Sequence, residues 1–134
     1  MIKLEKKESI YFLTMDAGEN RWNTTFVREI AKALDTIEDD EGPGALITSA
    51  TDSKFFSNGL DLDWMQAPED YPDGGDREVF GEEFMYLMGR FITLPIPTIC
   101  ALNGHTFGAG FMFALSHDFR IMREDRGFIC ANEM

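Results

Sequence analysis

Cysteine is scarce in this chain. Only Cys100 and Cys130 occur, each inside an apolar run and neither beside a metal-ligand partner. That argues against a disulfide framework and predicts two buried free thiols in a reducing compartment. Basic residues are few as well: 12 Lys and Arg stand against 24 Asp and Glu, for a net charge of −12. No basic patch is visible, so a phosphate backbone would be repelled and nucleic acid is excluded as a partner. No apolar run reaches membrane-spanning length. The N-terminal "MIKLEKKESIYFLTMD" alternates charged and apolar residues and lacks the apolar centre of a signal peptide. The expectation is a soluble intracellular protein without a membrane partner, in which the "NTT" sequon at Asn23 carries no weight.

What is present is ample apolar material: 44% of the 134 residues are hydrophobic, with 12 Phe and 8 Met. A chain of this length forms one domain that buries roughly two thirds of its unfolded surface. "IYFLTM" reads as a strand with "IKLEK" as its partner, and "DAGEN" as the turn that follows. Phe26, Ile30, Leu34 and Ile37 fall at helical spacing behind an N-cap at Asn23 or Thr24, and the helix stops in "EDDEGPG". "GALITS" has the look of a strand buried on both faces, and "KFF" is a short second one. "QAPEDYPDGGD" is a surface loop, the expected mobile part, within an acid-rich stretch from Asp61 to Glu83 that reads as a solvated face. Phe80, Phe84, Leu87, Met88 and Phe91 predict a helix ended by "LPIP". "TICAL" is then a strand, "NGHTFGAG" a glycine-rich turn, "FMFALS" a buried helix without a polar face, and "DFRIM" and "GFICA" are final strands. Strands alternating with helices define an α/β layered fold.

Two glycine turns follow strands, "SNGLD" and "NGHTFGAG", and the second opens a helix. Helix-start N–H groups lack intrahelical partners and attract anions or developing oxyanions, and glycine admits close approach. Gly104, Gly108 and Gly110 give neither a dinucleotide fingerprint nor a P-loop. Ser116 lacks the setting of a nucleophile elbow. The acidic loop does not place Gly and Glu at calcium-loop spacing. His105 and His117 stand alone, as packed or capping histidines do, although His105 lies in the glycine turn. Glu133 follows an apolar strand, where desolvation would raise a carboxyl pKa as a general base requires; its nearness to the end of the sequence argues instead for a frayed, solvated group.

The blocks "FFSNGLDL", "LPIPTICALNGHTFGAGFMFALSHDFRIM" and "GFICANE" together resemble the crotonase superfamily, and within it the enoyl-CoA delta isomerases. The similarity runs from Ile2 to Glu133 and covers the N-terminal half of that family. It implies a crotonase-like spiral of strand-strand-helix turns with the C-terminal part absent, so that residues 1–134 form a single partial acyl-CoA-binding domain. It also implies that the backbone N–H groups of Leu60 and Ala109 form an oxyanion hole, worth about 3 kcal/mol per donor. Asn58, Gly59, Asp61, Leu62, Gly108, Gly110 and Met112 would contact substrate. Family hydratases use two glutamates. The first position is Met112 here, which cannot accept a proton, and the second resembles Glu133.

By that resemblance the chain is an isomerase moving a double bond from position 3 to position 2 of an unsaturated fatty acyl-CoA through a dienolate. Hydration or another thioester reaction is the alternative, and a truncated non-catalytic chain binding CoA or partner subunits is a second. No cofactor or metal is expected, since CoA is part of the substrate. Lys54 and Arg21 are candidate cations near the nucleotide, or plain solvated charges. A trimer-type homo-oligomer is expected if the remaining half is present, and bare apolar surface if it is not. The compartment would be the cytoplasm in a bacterium, and the peroxisome or mitochondrion in a eukaryote.

Overall fold

A computed structural model describes residues 1–68 and 74–131. The chain opens with an antiparallel hairpin of β1 (Ile2–Lys7) and β2 (Ile10–Met15), with Lys7 opposite Ile10. A right-length crossover follows through α1 (Thr24–Glu38), started by Asn23, whose side-chain oxygen accepts the Phe26 N–H at 2.8 Å. Its stripe of Phe26, Val27, Ile30, Leu34 and Ile37 is buried, as the spacing predicts. From there the chain repeats one unit. β3 (Ala45–Ala50) and β4 (Phe55–Ser57) lead into α2 (Leu62–Gln66) and α3 (Phe80–Ile92). β5 (Thr98–Leu102) and β6 (His105–Phe107) lead into α4 (Ala109–Leu115), and β7 (Phe119–Met122) and β8 (Ile129–Cys130) begin the next turn.

The first strand of each unit joins a five-stranded sheet in the order β1-β2-β3-β5-β7, and the second joins a three-stranded sheet β4-β6-β8. Every pairing after the hairpin is parallel, with Leu46 opposite Thr98 and Ile99 opposite Phe119. Each turn therefore advances one strand in both sheets, which makes a spiral. The corners between the sheets lie on one another. Asn103 Nδ2 donates to the Asp52 carbonyl at 2.7 Å and the His105 N–H to the Lys54 carbonyl at 2.9 Å. The Thr106 N–H reaches the Phe128 carbonyl of the third corner at 2.9 Å. Gly104 is required there, because a Cβ would sit 2.2 Å from the Lys54 carbonyl oxygen.

Trp22, Phe26, Phe84, Phe91 and Phe113 meet edge to face in the core between helices and sheet. The α1 and α3 helices are also bound by Arg28 to Glu83 and by Arg90, which donates to Asp35, Glu38 and the Ala31 carbonyl. Among the described residues no helix is long and apolar enough to cross a membrane.

Several expectations change. The segment read as a glycine turn holds a strand, β6, because Thr106 is buried between β4 and β8 while its neighbours face outward. The α4 helix is not wholly buried: Leu115 is 44% exposed. Cys130 is exposed, because β8 pairs on one side only among the described residues. The loop expected over residues 66–76 has its centre, 69–73, outside the described residues.

Phe119 and Ile121 of the edge strand β7 are 60% and 67% exposed, and Phe128 is 71% exposed. Such a surface favours self-association. The double change Phe119→Lys and Ile121→Lys is expected to lower the apparent mass in light scattering at high protein concentration while leaving the far-ultraviolet dichroism unchanged. An equal mass for both proteins would remove this face from the contact.

Candidate active site

The first turn leaves β4 at Ser57 and passes through Asn58 and Gly59, whose φ of +83° favours glycine. It is tied to the segment before α1. The Trp22 N–H donates to the Gly59 carbonyl at 2.8 Å, and the Asp61 N–H donates to the Trp22 carbonyl at 2.8 Å. In such a parallel bridge the intervening residue turns its own N–H and C=O the other way, so the Leu60 N–H faces away from Trp22. Asn58 donates from its backbone to the Glu19 carbonyl at 2.9 Å and from its side chain to the Glu19 carboxylate at 3.0 Å. That carboxylate also receives Arg21, and these donors hold its pKa below the usual range.

The second turn leaves β6 at Phe107. Gly108 adopts φ +49° and ψ −116°, its N–H donates to the Cys130 carbonyl at 2.9 Å, and α4 begins at Ala109. The two turns touch. A Cβ on Gly110 would lie 2.5 Å from the Ser57 Cβ, 2.6 Å from its Oγ and 3.1 Å from its carbonyl oxygen. Only a glycine lets the start of α4 rest on the end of β4. Gly110→Ala is accordingly expected to cost about 2 kcal/mol, as overpacking of a buried contact does. Urea denaturation measures it, and a wild-type midpoint would show that the turns can part without cost.

The residues singled out in the sequence fall into place unevenly. Gly59, Gly108, Ala109 and Gly110 are buried, Asn58, Leu60 and Met112 half-buried. Met112 packs against the core cluster. Leu62 is 52% exposed at the start of α2. The Asp61 carboxylate is occupied: one oxygen caps α2 by accepting the Trp64 N–H at 3.2 Å, and the other accepts Asn23 Nδ2 at 3.1 Å. Glu133 lies outside the described residues. Arg21 is engaged by Glu19 at 2.7 Å and Asp63 at 2.9 Å, beside a groove of about 430 Å³ that Asp61 also lines. Lys54 places its ammonium 5.2 Å from the Phe55 ring centre.

Neither histidine faces the contact between the turns as a free base. The His105 ring lies between those of Phe107 and Phe128, and its Nδ1 accepts the Phe128 N–H at 3.1 Å. His117 is buried in a structural role. Sequence reading overlooked Ser57, Trp22 and Asn20, all fully buried where the turns meet.

This strand-strand-helix spiral, with its two glycine turns in contact, belongs to the enoyl-CoA hydratase/isomerase family, whose model matches residues 5–134. Enoyl-CoA delta isomerases, members of the crotonase superfamily, are among the proteins it is similar to. The peroxisomal enoyl-CoA delta isomerase 2 of Arabidopsis thaliana is 35% identical over 136 residues, spanning the whole of this chain and 57% of the relative. Enoyl-CoA delta isomerase 3 of the same plant is 34% identical, with 56% of its length covered. The chain thus spans little more than half of these relatives. The crystal structure of an enoyl-CoA hydratase from Bacillus halodurans superposes with a TM-score of 0.82 at 20% identity, covering 96% of this chain and 51% of that one, a likeness of fold.

Proposed function

We propose that this chain carries the thioester-binding half of an enoyl-CoA isomerase, which moves a double bond from position 3 to position 2 of an unsaturated fatty acyl-CoA. The observation that carries it is the contact between Ser57 and Gly110, which sets the Leu60 turn against the start of α4. The thioester oxygen would accept the Leu60 and Ala109 N–H groups, with Asn58, Gly59, Gly108 and Gly110 as the surrounding backbone and Asp61, Leu62 and Met112 at the edges of the substrate. Donors fixed in advance where negative charge develops are typically the largest single catalytic term.

Glu133 takes a proton from C2 of the 3-enoyl thioester, and the electron pair runs onto the thioester oxygen to give a dienolate. The same carboxyl returns the proton at C4, the double bond settles between C2 and C3, and no water is consumed. A single carboxylate suffices for both steps. By the sequence resemblance Met112 takes the position of the first glutamate of the family's hydratases, and a thioether neither binds nor activates water as a base does. That favours isomerisation over hydration, although relatives of both names exist.

The test offers the purified chain 3-cis-enoyl-CoA and, separately, 2-trans-enoyl-CoA in water. Formation of the 2-trans product from the first, with no hydration of the second, is the expected result. Hydration of the second substrate would replace the isomerase by the hydratase reading. Binding of both without turnover would leave a non-catalytic CoA-binding chain. A trimer-type assembly belongs to the same proposal and is read from sedimentation.

A further inference from the structure

The Ser57 hydroxyl has one donor and two acceptor positions, and all three are used within the protein. It accepts the Trp22 indole N–H at 3.1 Å and the Gly59 N–H at 3.3 Å, and it donates to the Asn20 carbonyl at 2.8 Å. Ser57 is completely buried, as are Trp22 and Asn20. Its Cβ and Oγ are also the atoms against which Gly110 rests. One small side chain therefore joins three segments: the turn carrying Leu60, the segment 20–22 before α1, and the first turn of α4.

Trp22 acts on the same turn from two directions. Its backbone N–H and C=O take the residues on either side of Leu60. Its indole is wedged edge to face among Phe26, Phe84 and Phe113, with ring centres 4.8–5.0 Å apart. The ring is thus fixed by the core, and its N–H transfers that fixity to Ser57. Asn20 completes the frame: at φ +51° its amide oxygen accepts the Ala17 N–H at 3.0 Å and its amide nitrogen donates to the Phe56 carbonyl at 3.0 Å.

We infer that Ser57 and Trp22 are positioning residues that aim the Leu60 N–H at a thioester carbonyl, through the hydrogen bond from Trp22 Nε1 to Ser57 Oγ. The inference rests on the proposed function. A stabilising donor is effective only when held in place by a rigid second layer of contacts, and a buried, fully satisfied hydroxyl locked to a packed indole supplies one. Neither side chain has to touch substrate, and neither titrates near neutral pH.

The experiment follows octanoyl-CoA labelled with carbon-13 at its thioester carbonyl, bound at saturation to the folded 134-residue chain. Hydrogen bonding polarises the carbonyl and moves its resonance downfield. In Ser57→Ala and in Trp22→Phe the displacement is expected to fall below about half of the wild-type value, because the donor is present but misaimed. The double variant is expected to lose no more than the worse single one, since both remove the same bond. A purely structural role would weaken binding or folding and leave the bound carbonyl shift at its wild-type value. Full displacement in both variants, with intact dichroism, overturns the positioning role and leaves the functional reading standing. No displacement in the wild-type chain removes the functional reading and the inference with it. If Ser57→Ala does not fold, Trp22→Phe decides, because it keeps an aromatic ring in the core.

Discussion

Glu133→Gln is expected to lower the isomerisation rate of 3-cis-enoyl-CoA by about 10²–10⁴-fold, the usual range for losing a general base. Glutamine keeps the shape and hydrogen-bonding reach of the carboxylate but cannot take up a proton at neutral pH. Because the proposed reaction uses one group for both proton transfers, its loss stops both. The thioether at Met112 accepts hydrogen bonds weakly and no proton. The KM should change little, since in the proposed site the thioester oxygen is held by the Leu60 and Ala109 backbone rather than by Glu133. The measurement pairs steady-state rates with exchange of the C2 proton in heavy water. Loss of turnover together with loss of exchange identifies Glu133 as the group that removes the proton. Wild-type rates in the variant would move the base to another residue and sink that part of the mechanism.

The elements set by local periodicity were legible in the sequence. The stripe of Phe26, Ile30, Leu34 and Ile37 buries one face of α1, and the Met and Phe stripe of α3 does the same. The strands "IYFLTM" and "TICAL" fall where β-formers are bounded by turn residues. The two glycine turns were legible in the residues themselves, and the family resemblance added the spiral, which no single segment encodes. What local reading could not supply was pairing between distant segments. The strand β6 is three residues long and exists because β4 and β8 flank it, and the glycines on either side, Gly104 and Gly108, made the segment read as a turn. The short α2 helix depends on the Asp61 cap, whose acid had been read as part of a solvated face.

Cys130 illustrates the same limit from the other side. An apolar run predicts burial, yet β8 lies at a sheet edge, and burial there depends on what flanks it rather than on the run itself. Ser57 and Trp22 were invisible as site residues for a further reason. A serine before Asn-Gly reads as a turn former and a tryptophan before a helix reads as core. Only the 3.1 Å contact between residues 35 apart in sequence shows that they act as one unit.

Lowering the pH from 7.5 to 5 is expected to remove about 2 kcal/mol of stability through His117 alone. The ring is buried, with Nδ1 2.9 Å from the Phe113 carbonyl and Nε2 2.8 Å from Thr48 Oγ1. A carbonyl only accepts, so the neutral ring carries its proton on Nδ1 and Nε2 accepts the Thr48 hydroxyl. This joins the end of α4 to the middle of β3. Burial, the largest cause, disfavours the charged ring and, with the neighbouring Arg120 and against the opposing Phe113 carbonyl and Asp118, lowers the pKa from 6.5 to about 4. The unfolded chain therefore binds the proton more tightly than the folded one. Stability is full above about pH 6.5, declines as pH falls through the window down to 4, and the loss, about 3 kcal/mol in total, is complete below it. The carboxylates with depressed pKa values, Asp16, Glu19 and Glu83 among them, act in the same direction, but chiefly below pH 4.5. Urea unfolding at several pH values between 7.5 and 4.5 separates the two. In His117→Gln the slope between pH 6.5 and 5 should disappear, at the cost of lower stability at pH 7.5. A slope that survives in the variant would assign the acid sensitivity to other groups and make His117 a packing residue without a titration of consequence.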